Sequence, residues 1–207
     1  MMDLQGAKNF IIEKLSKELD PGYNYHCIGH TIDVHAAALR LIGMENIPAE
    51  SAKLIEIAAL YHDSGMLVRY KDHETASAEL ASCFLPGFGF THQEIAIINS
   101  LIMVTRLPQK ANTLAEQVLC DADLDYLGRV DFFIHSFELQ NEWNQFGIKE
   151  TDLSGWLDIQ IKFLTEHKYF TKSAALLRNQ KKTQNLNEII TLWQQKNQKR
   201  PSTTTSS

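Results

Sequence analysis

The sequence predicts an all-α fold. Apolar residues recur every three or four positions along most of the chain, the spacing that places them on one face of a helix. No segment alternates apolar and polar residues for long enough to indicate a β-strand, and no repeat of fixed period is visible. An all-α domain follows from these observations.

Four helices are predicted in the first half of the chain. Asp3 is a candidate N-cap for the first of them, and Pro21-Gly22 would end it. Gly43 would mark the end of the second. The apolar face of the third extends to His62, which would therefore lie at the inward-facing end of that helix. The predicted ranges are 4–19, 27–41, 48–62 and 73–85.

The second half continues in the same way as far as residue 195. Its predicted helices lie at about 91–104, 114–127, 130–146, 151–167 and 172–195. We expect one helical domain over 1–196, with a metal-site core at about 20–130 and C-terminal helices at about 130–196. The low hydrophobicity of the last residues predicts a flexible polar tail at 197–207.

Composition excludes several classes of protein. The net charge is −5, from 20 Lys+Arg and 25 Asp+Glu, and no dense basic block is present before the C-terminal end, so polymeric nucleic acid is not an expected partner. The first residues show neither the cationic nor the apolar region of a secretion signal, and no apolar run is long enough to cross a membrane, so we expect a protein that is not exported and has no membrane partner. The three cysteines lie among apolar residues, which predicts reduced thiols in the core and a cytoplasmic protein.

Two histidines and two carboxylates on separate predicted helices form a candidate metal site. They are His30, the adjacent pair His62-Asp63, and Asp123. This mixed nitrogen and oxygen set suits a divalent ion that activates water, and it admits Mn, Mg, Fe, Ni, Co or Zn. Asp123 lies at the edge of the apolar stripe of its helix while Asp121 lies outside it, so Asp123 is the predicted ligand.

These residues, in this order, resemble the HD-domain metal-dependent phosphohydrolase superfamily. Tyr25-His26 before His30 and Ala122 before Asp123 are similar to supporting segments of that superfamily, and the resemblance covers roughly residues 20 to 130. It implies a helical bundle that holds one or two divalent ions. It also implies that a metal-activated water attacks a small phosphate ester, with a nucleotide as the expected substrate and either a phosphomonoester or a phosphodiester bond broken.

The resemblance implies roles for two further histidines. Some phosphodiesterases of the superfamily use a histidine at the position of His26 as general acid, and a capping or packing histidine is the alternative. His92 follows the His-Asp pair at the distance of an extra ligand in members with two metal ions, which Asp63 would then bridge. The alternative for His92 is a surface residue at the start of a helix.

Binding of a phosphate would need cationic groups near these segments. His73 either binds phosphate or a second ion, or is part of a polar helix start. Arg69 and Arg106 are the candidate phosphate-binding arginines, with solvated surface charge as the alternative.

The chain departs from two subgroups of the superfamily. Ser64-Gly65-Met66-Leu67 stands where guanosine-tetraphosphate hydrolases have a Glu-Asp pair, and the Gly-Tyr-Pro segment of cyclic-di-GMP-degrading members is absent. Two other functions compete with hydrolysis: a non-catalytic nucleotide-binding or signalling module, and an oxygenase-type member of the superfamily with a diiron site. The oligomeric state stays open, a homodimer included.

Overall fold

The computed structural model describes residues 2–198 and confirms the all-α prediction. Over these residues it contains nine α-helices, three short 3₁₀ helices and no β-strand. The α-helices are Leu4–Glu18 (α1), Ile28–Met44 (α2), Ala49–Tyr61 (α3), His73–Phe84 (α4), His92–Val104 (α5), Leu114–Asp123 (α6), Phe132–Gln145 (α7), Leu153–Glu166 (α8) and Lys172–Gln198 (α9). The 3₁₀ helices are Ser64–Leu67, Leu85–Phe88 and Asp125–Gly128.

Helix α3 lies at the centre of the larger hydrophobic core. It contacts α1, α2, α5 and α6, and all its residues from Ile57 to Tyr61 are buried. This last part of α3, Ile57 to Tyr61, is apolar on every side, and such a segment is stable only when it is enclosed in this way. Because α3 is held on all sides, the pair His62-Asp63 at its end has a fixed position.

A second, smaller core joins the last three helices to the 3₁₀ helix at 125–128. It includes Tyr126, Leu127, Phe132, Leu157 and Ile189. The approach of α9 is close here, since a Cβ atom at Gly128 would lie 2.5 Å from the carbonyl oxygen of Arg178. This packing places α7 and α8 beside the end of α6, where Asp123 lies.

The predicted helix starts lie within two residues of the observed ones, and some of them have a capping side chain. The Asp3 side chain accepts a hydrogen bond from the Gly6 amide (2.8 Å), as an N-cap should. Thr91 and Thr113 begin α5 and α6 with capping boxes, in which a glutamate three residues later returns the hydrogen bond.

Three predicted helix ends are corrected. Helix α2 passes through Gly43 and ends at Met44. Helix α6 ends at Asp123, four residues early, because the chain tightens into the 3₁₀ helix at 125–128. Helix α9 extends to Gln198, three residues past its predicted end, and so includes 197 and 198, the first two residues of the predicted tail. The rest of the predicted tail, 199–207, lies outside the described residues.

The cysteines only partly follow the prediction. Cys120 is buried and Cys27 is half-buried, but Cys83 is exposed on the outer face of α4, and none of the three forms a disulfide within the described part of the chain. Between residues 2 and 198, no helix combines the length and the apolar character that crossing a membrane requires.

Candidate metal centre

The four predicted ligands converge on one point. His30 projects from α2, His62 and Asp63 follow the last residue of α3, and Asp123 is the last residue of α6. His30, His62 and Asp123 each offer one ligand atom, and these three atoms lie within 4.8 Å of one another. Asp63 Oδ2 is 3.1 Å from His62 Nε2 and 3.4 Å from His30 Nε2. The structure therefore brings together two imidazole nitrogens and two carboxylates.

The imidazole of His62 is oriented for metal binding by its own helix. Its Nδ1 donates to the Ala59 carbonyl at 2.8 Å, one of the carbonyls that a helix end leaves free. In the neutral ring, Nε2 then carries a lone pair, and it faces His30 Nε2 at 3.3 Å. Histidines that bind metals usually have this arrangement, in which the second ring nitrogen is hydrogen bonded to a carbonyl or a carboxylate.

The charges of the cluster fit a divalent cation. Burial lowers the pKa of His30, but hydrogen bonds to Asp123 and Asp63 outweigh it and raise this pKa to about 10. Burial raises the pKa of Asp63, but His62, His30 and His73 outweigh it and hold this pKa well below its usual range. The two carboxylates thus require positive charge beside them. A divalent ion would supply that charge and displace the protons, and the donor set fits such an ion.

His73 is brought to the opposite side of Asp63. Its Nε2 is 3.2 Å from Asp63 Oδ1, and its Nδ1 donates to the Tyr70 carbonyl at 2.9 Å. Gly65 permits this arrangement, because a Cβ atom there would lie 2.0 Å from the His73 carbonyl oxygen. Between its two oxygens, Asp63 therefore contacts three histidines, and His73 belongs to the site.

His26 is held beside the cluster by a buried glutamate. Its Nδ1 donates to Glu142, whose carboxylate also accepts from the backbone amides of Tyr25 and His26 (both 3.0 Å) and from the Tyr70 hydroxyl (2.8 Å). Burial raises the pKa of Glu142, but its hydrogen bond with His26 outweighs it and lowers this pKa. The His26 ring lies 5.3 Å from the ring of His73. Its Nδ1 is thus engaged, and Nε2 is the nitrogen left for a ligand.

These groups open on a cavity of about 260 Å³ with two kinds of wall. The wall from the N-terminal half, up to the end of α6, is largely polar; it includes His26, His30, Asp63, His73, Arg106 and Asp123. The wall from α7 and α8 is apolar and aromatic except for one amide; it consists of Leu139, Trp143, Ile159, Gln160 and Phe163. The C-terminal helices therefore shape the pocket.

The two candidate arginines have different positions. Arg106 lines the cavity, where it bonds to Asp72 and Thr75 and lies 3.5 Å from Glu74. Arg69 does not line the cavity; it is exposed, with Asp72 at 3.8 Å and Glu79 at 3.7 Å. The structure therefore corrects the expectation that both arginines face the substrate, because the loop before α4 directs Arg69 to solvent.

His92 is also not brought to the cluster. It is the exposed first residue of α5 and belongs neither to the ligand group nor to the cavity lining in the described structure. The face of α5 that turns inward carries Ile95, Ile98 and Ile102 instead. The structure thus corrects the expectation of a ligand at His92.

Asp121, the carboxylate that was not chosen as ligand, has a different role. It is buried and accepts hydrogen bonds from the Phe170 amide (2.8 Å) and from the Thr171 amide and hydroxyl (both 2.7 Å). Burial raises its pKa, against the effect of these hydrogen bonds. Asp121 therefore fixes the connection between α8 and α9, which leaves Asp123 as the carboxylate of α6 that faces the cluster.

Three residues of the site were not predicted. Gln109 donates to Asp123 Oδ2 at 2.9 Å, Glu142 holds His26, and Gln160 lies in the cavity wall. Gln160 left a signal in the sequence, since it lies on the apolar stripe of α8 between Trp156 and Leu164. Nothing in the sequence near Gln109 or Glu142 indicates their partners.

Comparisons with known proteins agree with the observed fold. Neither a protein-family model nor a curated protein matches the chain. Among solved structures, the chain is similar to a predicted HD superfamily hydrolase from an uncultured Thermotogales bacterium. The likeness has a TM-score of 0.55 and 24% sequence identity, and it covers 94% of this chain and 91% of that chain. The chain therefore has the HD-type helical fold that its His-Asp pattern implied.

Proposed function

We propose that this protein is a metal-dependent phosphohydrolase of the HD superfamily that acts on a small phosphate ester, with a nucleotide as the expected substrate. The observation that carries the proposal is the convergence of His30, His62, Asp63 and Asp123 beside a cavity with a cationic group. A bound divalent ion would lower the pKa of water and polarise a phosphoryl oxygen. The donor set admits Mn, Mg, Fe, Ni, Co or Zn, and a second ion would take Asp63 as its bridge.

Arg106 is the residue that we assign to the phosphate. Its guanidinium lines the cavity, and Asp72 and Glu74 hold it there. A guanidinium matches two phosphate oxygens with two parallel N–H groups, and such charge-assisted hydrogen bonds are stronger than neutral ones. His73 Nε2, beside Asp63, orients that carboxylate.

His26 is the residue that we assign to the leaving group. Hydrolysis breaks a P–O bond, and the departing oxygen needs a proton unless it is a weak base. Glu142 accepts a hydrogen bond from His26 Nδ1–H, so Nε2 is the nitrogen that would carry the proton for the departing oxygen. A carboxylate that is hydrogen bonded to one ring nitrogen fixes the tautomer and the orientation of the imidazole.

The cavity supports a small substrate. Its volume of about 260 Å³ lies just below the ~300–1,000 Å³ typical of small-molecule sites. A mononucleotide or a similar ester suits this volume better than a nucleic acid polymer, as the net charge of −5 also indicates.

Metal content and turnover together test the proposal. Protein purified without chelator or nickel resin is analysed for metal, then screened for phosphatase and phosphodiesterase activity with added Mn, Mg and Ni. We expect stoichiometric metal and metal-dependent phosphate ester hydrolysis in the wild type, and loss of both in Asp63→Ala. Asp158→Ala, which changes an exposed aspartate of α8, is the matched control. Wild-type protein that binds no metal, or binds metal and hydrolyses no ester, would contradict the proposal.

A further inference from the structure

Gln160, in the wall of the cavity, has a buried side-chain oxygen without a hydrogen-bond partner among the described residues. The residue is 3% exposed, and it lines the same cavity as the candidate metal ligands. Buried polar groups in folded proteins are almost always paired, because an unpaired one loses its hydrogen bonds to water without replacement. An unpaired amide in a cavity wall therefore points to a partner that enters the cavity.

Position distinguishes Gln160 from the other unpaired polar groups. Within residues 2–198 five further buried side-chain atoms lack a partner: Ser64 Oγ, Asn99 Oδ1, His167 Nε2, Asn185 Oδ1 and Trp193 Nε1. None of those five residues lines the cavity beside the metal centre, whereas Gln160 does. The unpaired amide and the candidate reaction centre thus share one space.

The groups around Gln160 restrict what this partner can be. Phe163 lies one turn further along α8, Trp143 comes from α7, and Leu139 and Ile159 complete this wall. Flat aromatic and aliphatic surfaces favour a planar apolar ligand, while an amide offers one acceptor and one donor side by side. An alkyl group would leave the amide unpaired, and a bare sugar would bury hydroxyl groups against apolar side chains. A nucleobase satisfies both requirements, since its edge carries adjacent donors and acceptors.

We propose that Gln160 recognises the base of a nucleoside phosphate, with Phe163 and Trp143 beside the ring and the phosphate at the metal centre. Gln160 is then a specificity-determining residue, and the substrate is a nucleotide selected by its base. The position given to the phosphate rests on the proposed function. The recognition of the base rests on the unpaired amide and its aromatic neighbours.

Equilibrium binding tests the base and the phosphate separately. Metal-loaded protein is titrated with AMP, GMP, CMP and UMP, and with ribose 5-phosphate, which has the same phosphate and no base. We expect the preferred nucleotide to bind more tightly than ribose 5-phosphate in the wild type. In Gln160→Met, which keeps the length of the side chain, this ratio of affinities should fall about 10- to 100-fold.

Thermal stability provides a second readout that does not depend on activity. Gln160→Met removes a buried amide whose oxygen is unpaired, so Tm should not fall, and we expect a rise of about 2 °C or more. Gln140→Met is the matched control, because the Gln140 amide is buried but donates to the Thr151 and Asp152 carbonyls at 3.2 and 3.3 Å. Gln140→Met should lower Tm and keep the ratio of affinities.

The outcomes separate this inference from the proposed function. A ratio that Gln160→Met leaves unchanged, or a wild type that binds ribose 5-phosphate as tightly as every nucleotide, overturns base recognition. A fall in Tm for Gln160→Met would also overturn it, because the amide would then be a structural group. Selective nucleotide binding without hydrolysis of any ester would retain base recognition and reject the hydrolase. Hydrolysis without any base selectivity would retain the hydrolase and reject base recognition.

Discussion

At the scale of single residues, three histidines of the site share one hydrogen-bonding pattern. His26, His62 and His73 each use Nδ1 for an internal hydrogen bond, which leaves Nε2 for the site. The acceptor is a backbone carbonyl for His62 and His73, but a carboxylate for His26. Nε2 of His62 and of His73 lies against Asp63, at 3.1 and 3.2 Å, whereas His26 meets its carboxylate through Nδ1. Because Nε2 of His26 is not held by Asp63, His26 is the histidine to which we give the proposed proton-donor role.

The role of His26 predicts a dependence on the leaving group. For an ester with an alkoxide leaving group, His26→Gln should lower kcat by about 10²–10⁴, the usual contribution of a general acid. For a p-nitrophenyl ester the loss should be much smaller, because p-nitrophenolate leaves without a proton. Glu142→Gln should also lower kcat for both esters, but by less, since it removes the negative charge that is hydrogen bonded to the His26 ring. Steady-state kinetics with both esters measures this.

An equal loss of kcat for the two esters would contradict the assignment of His26. It would show that the variant disturbs the metal centre or the fold, since those effects do not depend on the leaving group. Metal content measured on the same samples distinguishes these two causes.

The two candidate arginines give a second prediction at the residue scale. Arg106 lines the cavity and Arg69 does not, although both are exposed and both approach Asp72. Arg106→Met should raise KM by about 10- to 100-fold, the value of one or two charge-assisted hydrogen bonds. Arg69→Met should change KM by less than about twofold. Equal effects of the two substitutions on KM would show that positive charge near the cavity attracts the phosphate without a specific contact from Arg106.

At the scale of helices, the sequence predicted starts better than ends. Helix starts depend on local capping groups, such as Asp3, Thr91 and Thr113, which the sequence displays. Helix ends depend on what the chain packs against. Gly43 does not end α2, and α6 stops at Asp123 because the next residues form a 3₁₀ helix against α9. Periodicity alone does not show these contacts.

The site shows the same division between local and distant signals. The proximity of the four candidate ligands could be predicted, because each lies in a recognisable segment at the end or on the inner face of one helix. Glu142 was not, because its link to His26 spans 116 residues of sequence and depends on the packing of α7. The sequence shows Gln160 as a polar residue on an apolar stripe, but only the structure shows that it lies in the wall of the cavity.

The junction of α8 and α9 predicts a pH-dependent stability. Burial and the positive charge of Lys182 lower the pKa of His167 from 6.5 to about 4. Between these two pH values the unfolded chain binds a proton at His167 that the folded protein does not, so the free energy of unfolding falls as the pH decreases. His167 therefore does not lower the free energy of unfolding above pH 6.5, and it should lower it by about 1–3 kcal/mol at pH 4.

Urea denaturation of the wild type and His167→Gln at several pH values tests this prediction. The difference in unfolding free energy between the two proteins should be constant above pH 6.5 and change steadily from there to about pH 4. Parallel profiles over the whole range would show that the folded protein protonates His167 as readily as the unfolded chain does.

At the scale of the whole molecule, the candidate metal centre lies where the two hydrophobic cores meet. Its four candidate ligands come from α2, α6 and the end of α3, which belong to the larger core. The apolar wall of the cavity comes from α7 and α8, which belong to the smaller core. An ion bound here would join three helices far apart in sequence, so it would stabilise the native state and not the unfolded chain.

Metal removal should therefore lower the stability of the entire larger core. At a free metal concentration about 100 times Kd, binding contributes about 2.7 kcal/mol, which corresponds to about 5–10 °C in Tm for a chain of this size. We expect EDTA to lower Tm by that amount in the wild type, with hydrogen exchange increasing most in α2, α3 and α6. His62→Ala should have a low Tm that EDTA does not change, whereas His92→Ala should respond like the wild type because His92 is not in the ligand group. EDTA could instead leave the Tm of the wild type unchanged while metal analysis shows that the ion has been removed. The ion would then not join these helices, and the ion pairs of His30 and His62 with Asp123 would hold the cluster together without it.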